Sequence, residues 1–127
     1  MLLLVTGCYG SKESIVLQPA TLSEIYPGNI LKVNKVELLD GSSGERKVIE
    51  DQGKIKKWIN LIKDIKLIPD SNQEDRVGFI YGISLYEEDE LKLGFVLNHI
   101  NKIYYKNNIE FEAHIQAFFE EQFEKEF

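Results

Sequence analysis

Residues 77–97 read VGFIYGISLYEEDELKLGFVL, and this stretch decides the fold. Phe79, Tyr81, Ile83 and Leu85 alternate with smaller or more polar residues. Leu91, Leu93, Phe95 and Leu97 do the same after an acidic break at Glu87-Glu88-Asp89-Glu90. Period-two alternation puts every second side chain on one face of a strand. A connection of four polar residues joins two such strands as an antiparallel pair. Asn98-His99-Ile100-Asn101 reads as a second turn and Lys102 to Lys106 as a third strand, completing a meander.

Downstream, Phe111, Ile115, Phe118, Phe119 and Phe123 recur at helical spacing, so a helix follows the meander to the end of the chain. Upstream, Ile55, Trp58, Ile59, Ile62 and Ile65 form another such stripe, predicting a helix over residues 51–66 with Asp51 as its cap. Before it, Ile30 to Leu39 and Arg46 to Glu50 flank the loop Asp40-Gly41-Ser42-Ser43-Gly44 and read as a hairpin. The apolar parity changes between Val33 and Val36, which predicts a bulge or a strand buried on both faces. The order ββ-α-βββ-α predicts an α+β fold: an antiparallel sheet of about five strands with two helices packed on one face. The domain is expected over residues 30–127. Residues 9–29 read as a tether and lead-in, with Ile15-Val16-Leu17 offering a short edge strand. Burying each large apolar side chain of the meander contributes about 1.5–3 kcal/mol before entropy is subtracted.

The 127 residues suffice for one domain, and 43% hydrophobic against 28% charged residues is a globular balance. Fifteen Lys and Arg against 21 Asp and Glu leave a net charge of −6, with no basic stripe for a phosphate backbone, so nucleic acid is not expected as a partner. One cysteine permits neither an internal disulfide nor a Cys-based zinc cluster. The chain carries no GxGxxG, P-loop, HExxH or GxSxG pattern, so no catalytic residue and no cofactor is assigned. His99, on the predicted turn, and His114, near the start of the last helix, are the only histidines. A general base needs a positioned partner, and neither has one in sequence. The acidic runs at 87–90 and 40–45 lack the staggered spacing of a calcium loop and read as solvated turns, so no metal is assigned.

The other parity of the meander is more informative. Gly78, Ile80, Gly82, Ser84 and Tyr86 share a face with Lys92, Gly94, Val96 and, on the third strand, Tyr104. Glycine weakens a strand and often marks close approach of another backbone or a ligand. Tyrosine supplies large contact area with a polar tip. Ile80, Gly82, Tyr86, Gly94, Val96 and Tyr104 are therefore the candidate partner-binding residues, with an unidentified protein or peptide as the partner. The alternative is that another segment covers this face and the glycines only permit twist. A second functional reading is an inhibitor or immunity-type module acting through the acidic surface of Glu87, Glu88, Asp89 and Glu90.

The chain opens Met1-Leu2-Leu3-Leu4-Val5-Thr6-Gly7-Cys8. An apolar run leading into Val5-Thr6-Gly7-Cys8 resembles the lipobox at the end of a bacterial lipoprotein signal. In that reading residues 1–8 are a signal remnant with Cys8 as the lipidated residue, and the polar stretch from Tyr9 to Ser14 is a tether. Two acyl chains (palmitate-type) suffice for stable anchoring. No Lys or Arg precedes Lys12 and the apolar run is shorter than a secretory signal. The other reading makes residues 2–6 a strand and Cys8 a small buried hydrophobe. The strand and turn from Val36 to Gly41, the helix from Ile55 to Ile65, the strand from Tyr81 to Tyr86, and Lys102-Ile103-Tyr104-Tyr105 before the last helix resemble a family of small uncharacterised lipoproteins of low-GC Gram-positive bacteria. The resemblance implies a domain held to the cell membrane by its lipid, on the extracytoplasmic face, with no catalytic residues to carry over.

Overall fold

A computed structural model describes residues 17–127. The lipobox Val5 to Cys8, the tether to Ser14 and the first two residues of the possible edge strand Ile15-Val16-Leu17 lie outside the described residues. Six strands form one antiparallel sheet: β1 (Lys35–Asp40), β2 (Arg46–Ile49), β3 (Tyr81–Glu87), β4 (Glu90–Val96), β5 (His99–Ile100) and β6 (Ile103–Tyr104). Their spatial order is β2-β1-β3-β4-β5-β6, each neighbouring pair antiparallel. The helices are α1 (Leu22–Ile25), α2 (Gln52–Ile62) and α3 (Ile109–Phe123). The class is α+β, and the two long helices cover one face of the sheet.

The two apolar stripes explain that arrangement. Ile55, Trp58, Ile59 and Ile62 of α2, and Phe111, Ile115, Phe118, Phe119 and Phe123 of α3, are buried against Val36, Leu38, Tyr81, Ile83, Leu85 and Phe95. The helices meet where Trp58 stacks on Phe118, ring centres 4.2 Å apart. Asp51 caps α2 by accepting from the Lys54 N–H, and Asn108 caps α3 by accepting from the Phe111 N–H. Glu124, at φ 56°, ends α3 and turns the chain back. Phe127 then packs edge-on to Phe119 and Phe123, and Lys125 Nζ comes 2.9 Å from the buried carboxylate of Asp40. Lys125 and the Ser42 hydroxyl and N–H hold the Asp40 carboxyl well below the usual range, against its burial.

The structure departs from the sequence expectations in specific places. The third strand of the meander, expected over Lys102 to Lys106, is the shorter Ile103–Tyr104, and a further strand precedes it. Positive φ at Asn98, Asn101 and Lys102 makes two tight turns, so His99–Ile100 is a strand rather than part of a turn. The parity change before Val36 is neither a bulge nor a strand buried on both faces. Ile30–Lys32 is a single 3₁₀ turn capped by Asn29, which buries Ile30 and Val33 before β1 begins. Residues 20–29, expected in the lead-in, join the domain: α1 carries a full capping box at Thr21 and Glu24, and Leu22 and Tyr26 are buried. α2 ends at Ile62 rather than Lys66, because Leu67 becomes extended to exchange two backbone hydrogen bonds with Ala20. Leu91 is not on the helix face. Tyr86 pairs with Leu91 while Leu85 pairs with Leu93, so Lys92 is an extra residue and parity flips at the bulge. Leu91 is 53% exposed. Phe79 lies before β3, beyond a Gly78 at φ 86°, and is 42% exposed. Among the described residues no helix is long and apolar enough to cross a membrane.

Candidate functional site

The register fixes which side chains share the face away from the helices. Val36, Leu38 and Asp40 of β1 point into the core, so Lys35, Glu37 and Leu39 point out. Cross-strand pairing then lays three rows over that outer face. The first crosses all six strands: Arg46, Leu39, Gly82, Val96, His99, Tyr104. The second is Val48, Glu37, Ser84, Gly94, and the third is Lys35, Tyr86, Leu91.

A groove of about 570 Å³ runs over the first two rows. Gly82, Ser84 and Gly94 form its floor. Leu39, Glu37 and Arg46 stand on one side, and Phe79, Val96, His99 and Lys102 on the other. Residues 17–34 run on the helix side and along the sheet edge, tied to the chain around 63–67 and to the β3–β4 turn, and they do not line the groove. Arg46 sits 3.4 Å from Glu37, whereas Lys102 enters no ion pair among the described residues.

The glycines of this face are there for different reasons. A Cβ on Gly41 would overlap the carbonyl oxygen of Phe79, and the Gly41 N–H donates to Ile80 O at 2.8 Å. A Cβ on Gly82 would stand 3.1 Å from the Phe79 ring and 3.2 Å from Leu39 Cβ. Both therefore serve the seating of Phe79 on the outer face. Gly94 has no such duty. Its φ is an ordinary one, and a Cβ there would meet only Ser84 Oγ at 3.8 Å and Ile83 O at 4.0 Å.

The six candidates from sequence do not all meet in this groove. Gly82, Gly94 and Val96 do. Tyr86 lies in the third row: its hydroxyl donates to Glu37 Oε1 at 3.4 Å and the Lys35 ammonium sits 4.7 Å from its ring centre. Ile80 lies before β3 in a neighbouring cavity of about 280 Å³ with Arg76, His99 and Tyr104. Tyr104 is on the expected face but only 7% exposed. His99 stacks on it at 3.8 Å, the Arg76 guanidinium lies 4.3 Å from its ring centre, and its hydroxyl accepts from the Arg76 N–H. Glu37, Leu39, Arg46, Phe79, His99 and Lys102 are the wall residues that sequence reasoning missed. No local pattern marks them, because they reach the groove through strand register.

His99 and His114 line different cavities; His114 lies with Lys54, Lys57, Trp58 and Leu61 between α2 and α3. Among the described residues no three His, Cys, Asp or Glu side chains are grouped to hold a metal ion. The carboxylates of the β3–β4 turn have partners within the chain. Glu87 accepts from the Tyr26 hydroxyl at 2.7 Å, Glu88 accepts from Asn34 Nδ2 at 2.6 Å, and Asp89 pairs with Lys35 at 2.9 Å. Burial and the bond to Glu87 push the Tyr26 phenol well above its usual range, and the Lys35 bond lowers the Asp89 carboxyl. No protein-family model, no curated protein and no solved structure matches the chain.

Proposed function

We propose that this chain is a binding domain that receives a protein or peptide in the glycine-floored groove of its outer sheet face, and that Cys8 anchors it by lipid on the extracytoplasmic side of the cell membrane. The observation that carries the binding reading is Gly94. A glycine inside a strand costs stability, and Gly82 offsets that cost by seating Phe79. Gly94 relieves no strain and no clash, so its cost is offset only by the open floor it leaves. Around that floor, Leu39, Phe79 and Val96 supply apolar contact, while Arg46, His99 and Lys102 form a polar rim. An apolar centre with a polar rim is the usual anatomy of a protein interface.

A photo-crosslinking residue at Leu91, beside the groove, tests this in cells, with one at Leu61 on the helix side as control. Crosslinks to one partner from position 91, absent from position 61 and lost in Gly94→Trp, are expected. Crosslinking unaffected by Gly94→Trp would rule out the groove. The anchor is tested by intact mass: a chain beginning at Cys8 with added acyl mass, absent in Cys8→Ala, is expected, and an unmodified chain overturns it. The acidic-turn reading has less support, because those carboxylates hold residues 26–35 in place. Partner binding that collapses with salt and with Glu90→Gln, yet survives Gly94→Trp, would favour it.

A further inference from the structure

The groove is basic on a chain that is acidic. The chain carries a net charge of −6, yet the charged residues that line the groove are Arg46 and Lys102 against a single carboxylate, Glu37. Glu37 is paired with Arg46 at 3.4 Å, and Lys102 enters no ion pair among the described residues. The uncompensated cation is therefore Lys102, on the wall it shares with Val96 and His99.

Lys102 also holds a strained backbone. Asn101 and Lys102 make the turn between β5 and β6, at φ 52° and 71°. A two-residue hairpin turn with positive φ at both places favours Asn followed by Gly. Asn101 suits the first place. At the second, the Cβ of a lysine is crowded against the backbone, a strain that glycine does not have. Strain that the local structure does not require collects at functional sites. Glycine would satisfy this turn, and the lysine present instead adds an ammonium group to the groove wall.

We infer that the segment received by the groove is acidic: an extended stretch of a partner protein with a bulky apolar side chain over Gly82 and Gly94, and an Asp or Glu close to it in sequence whose carboxylate meets Lys102. This rests on the proposed binding role of the groove. Leu39, Phe79 and Val96 surround the glycine floor with apolar surface, which suits the bulky side chain. The floor lies on β3 and β4, and Lys102 lies in the turn beyond β5. Neighbouring strands stand about 4.8 Å apart and extended chain advances about 3.3 Å per residue, so the carboxylate falls within about three residues of the apolar side chain. The one groove carboxylate that could oppose it, Glu37, stands on the other wall and is paired with Arg46.

Fluorescent heptapeptides with a central Phe or Leu, and with Asp, Asn or Lys placed in turn at each flanking position, are titrated against the purified full chain by polarisation. Peptides carrying Asp are expected to bind tightest. Lys102→Gly should weaken these about three- to fivefold, the scale of an exposed ion pair, with no loss of Tm and no change for the Asn peptides. Lys102→Glu should reverse the order in favour of the Lys peptides, and Gly94→Trp should remove binding of all of them. Binding that is lost in Gly94→Trp but indifferent to peptide charge, or an Asp preference that survives in Lys102→Glu, would overturn the inference and leave the groove standing. Binding that survives Gly94→Trp, or no binding by any of the peptides, would refute the groove as a peptide site and the inference with it.

Discussion

Gly94→Val changes one side chain at the centre of the groove and touches none of the helix packing. A Cβ at this position meets ordinary van der Waals neighbours at 3.8 and 4.0 Å, and the backbone angle suits any residue. Valine is among the best strand formers and glycine among the poorest, and the difference is about 0.5–1 kcal/mol in a host sheet. The variant should therefore be more stable by about that amount, raising Tm by roughly 2–5 °C for a chain of this length. The same methyl groups stand in the groove floor, so partner capture should fall. Thermal melts and urea titrations read the first effect, and crosslinking from position 91 reads the second. Gly82→Ala is the contrast: its Cβ would press on the Phe79 ring and Leu39, and overpacking costs about 1–3 kcal/mol. If Gly94→Val destabilises by more than about 1 kcal/mol, something covers this face and the groove is not open.

The remaining predictions concern the frame around the groove. Asp40→Asn removes a carboxylate whose folded pKa is held below its unfolded value, so wild type should exceed the variant by a constant margin above about pH 4. The margin should shrink as pH falls below that; urea midpoints from pH 7 to pH 2.5 measure it, and a constant margin would show that Lys125 does not stabilise the charge. Tyr26→Phe loses the bond to Glu87 and should cost about 1–2 kcal/mol. The Tyr26 phenol is raised on folding, so this contribution is full below about pH 10 and fades only at higher pH. Lys102→Gly relieves a lysine at φ 71° in the β5–β6 turn and should gain up to about 1 kcal/mol by the same melts.

The parts of the fold that sequence makes plain are those set by local periodicity. The stripes Ile55 to Ile62 and Phe111 to Phe123 are both buried as their spacing requires, and Tyr81, Ile83, Leu85 and Phe95 face them. Where one residue breaks the period, the pattern misleads. The bulge at Lys92 sends Leu91 to the outer face, and Gly78 at positive φ frees Phe79 to seat there. A helix as short as α1 has too few residues to show a period, so Leu22 and Tyr26 are hidden in a stretch that reads as lead-in. Asp40 reads as a turn residue because its counter-charge, Lys125, comes from the far end of the chain. At the candidate site the glycine floor was visible and the walls were not. Arg46, Leu39 and His99 join the row of Gly82 and Val96 only once the registers of β1, β2 and β5 are set. Tyr104 illustrates the converse: its face follows from alternation, but its cover, Arg76, comes from a loop without periodicity.

The most direct test of an open, glycine-floored groove is the alkylation rate of a thiol at position 94, in Gly94→Cys with Cys8→Ser so that it is the only thiol. In the purified chain it should react with a maleimide as fast as an exposed thiol in a short peptide, and it should slow when the partner is bound. A thiol protected in the purified chain would mean that the face is covered, and would contradict the assignment of the groove as the binding site.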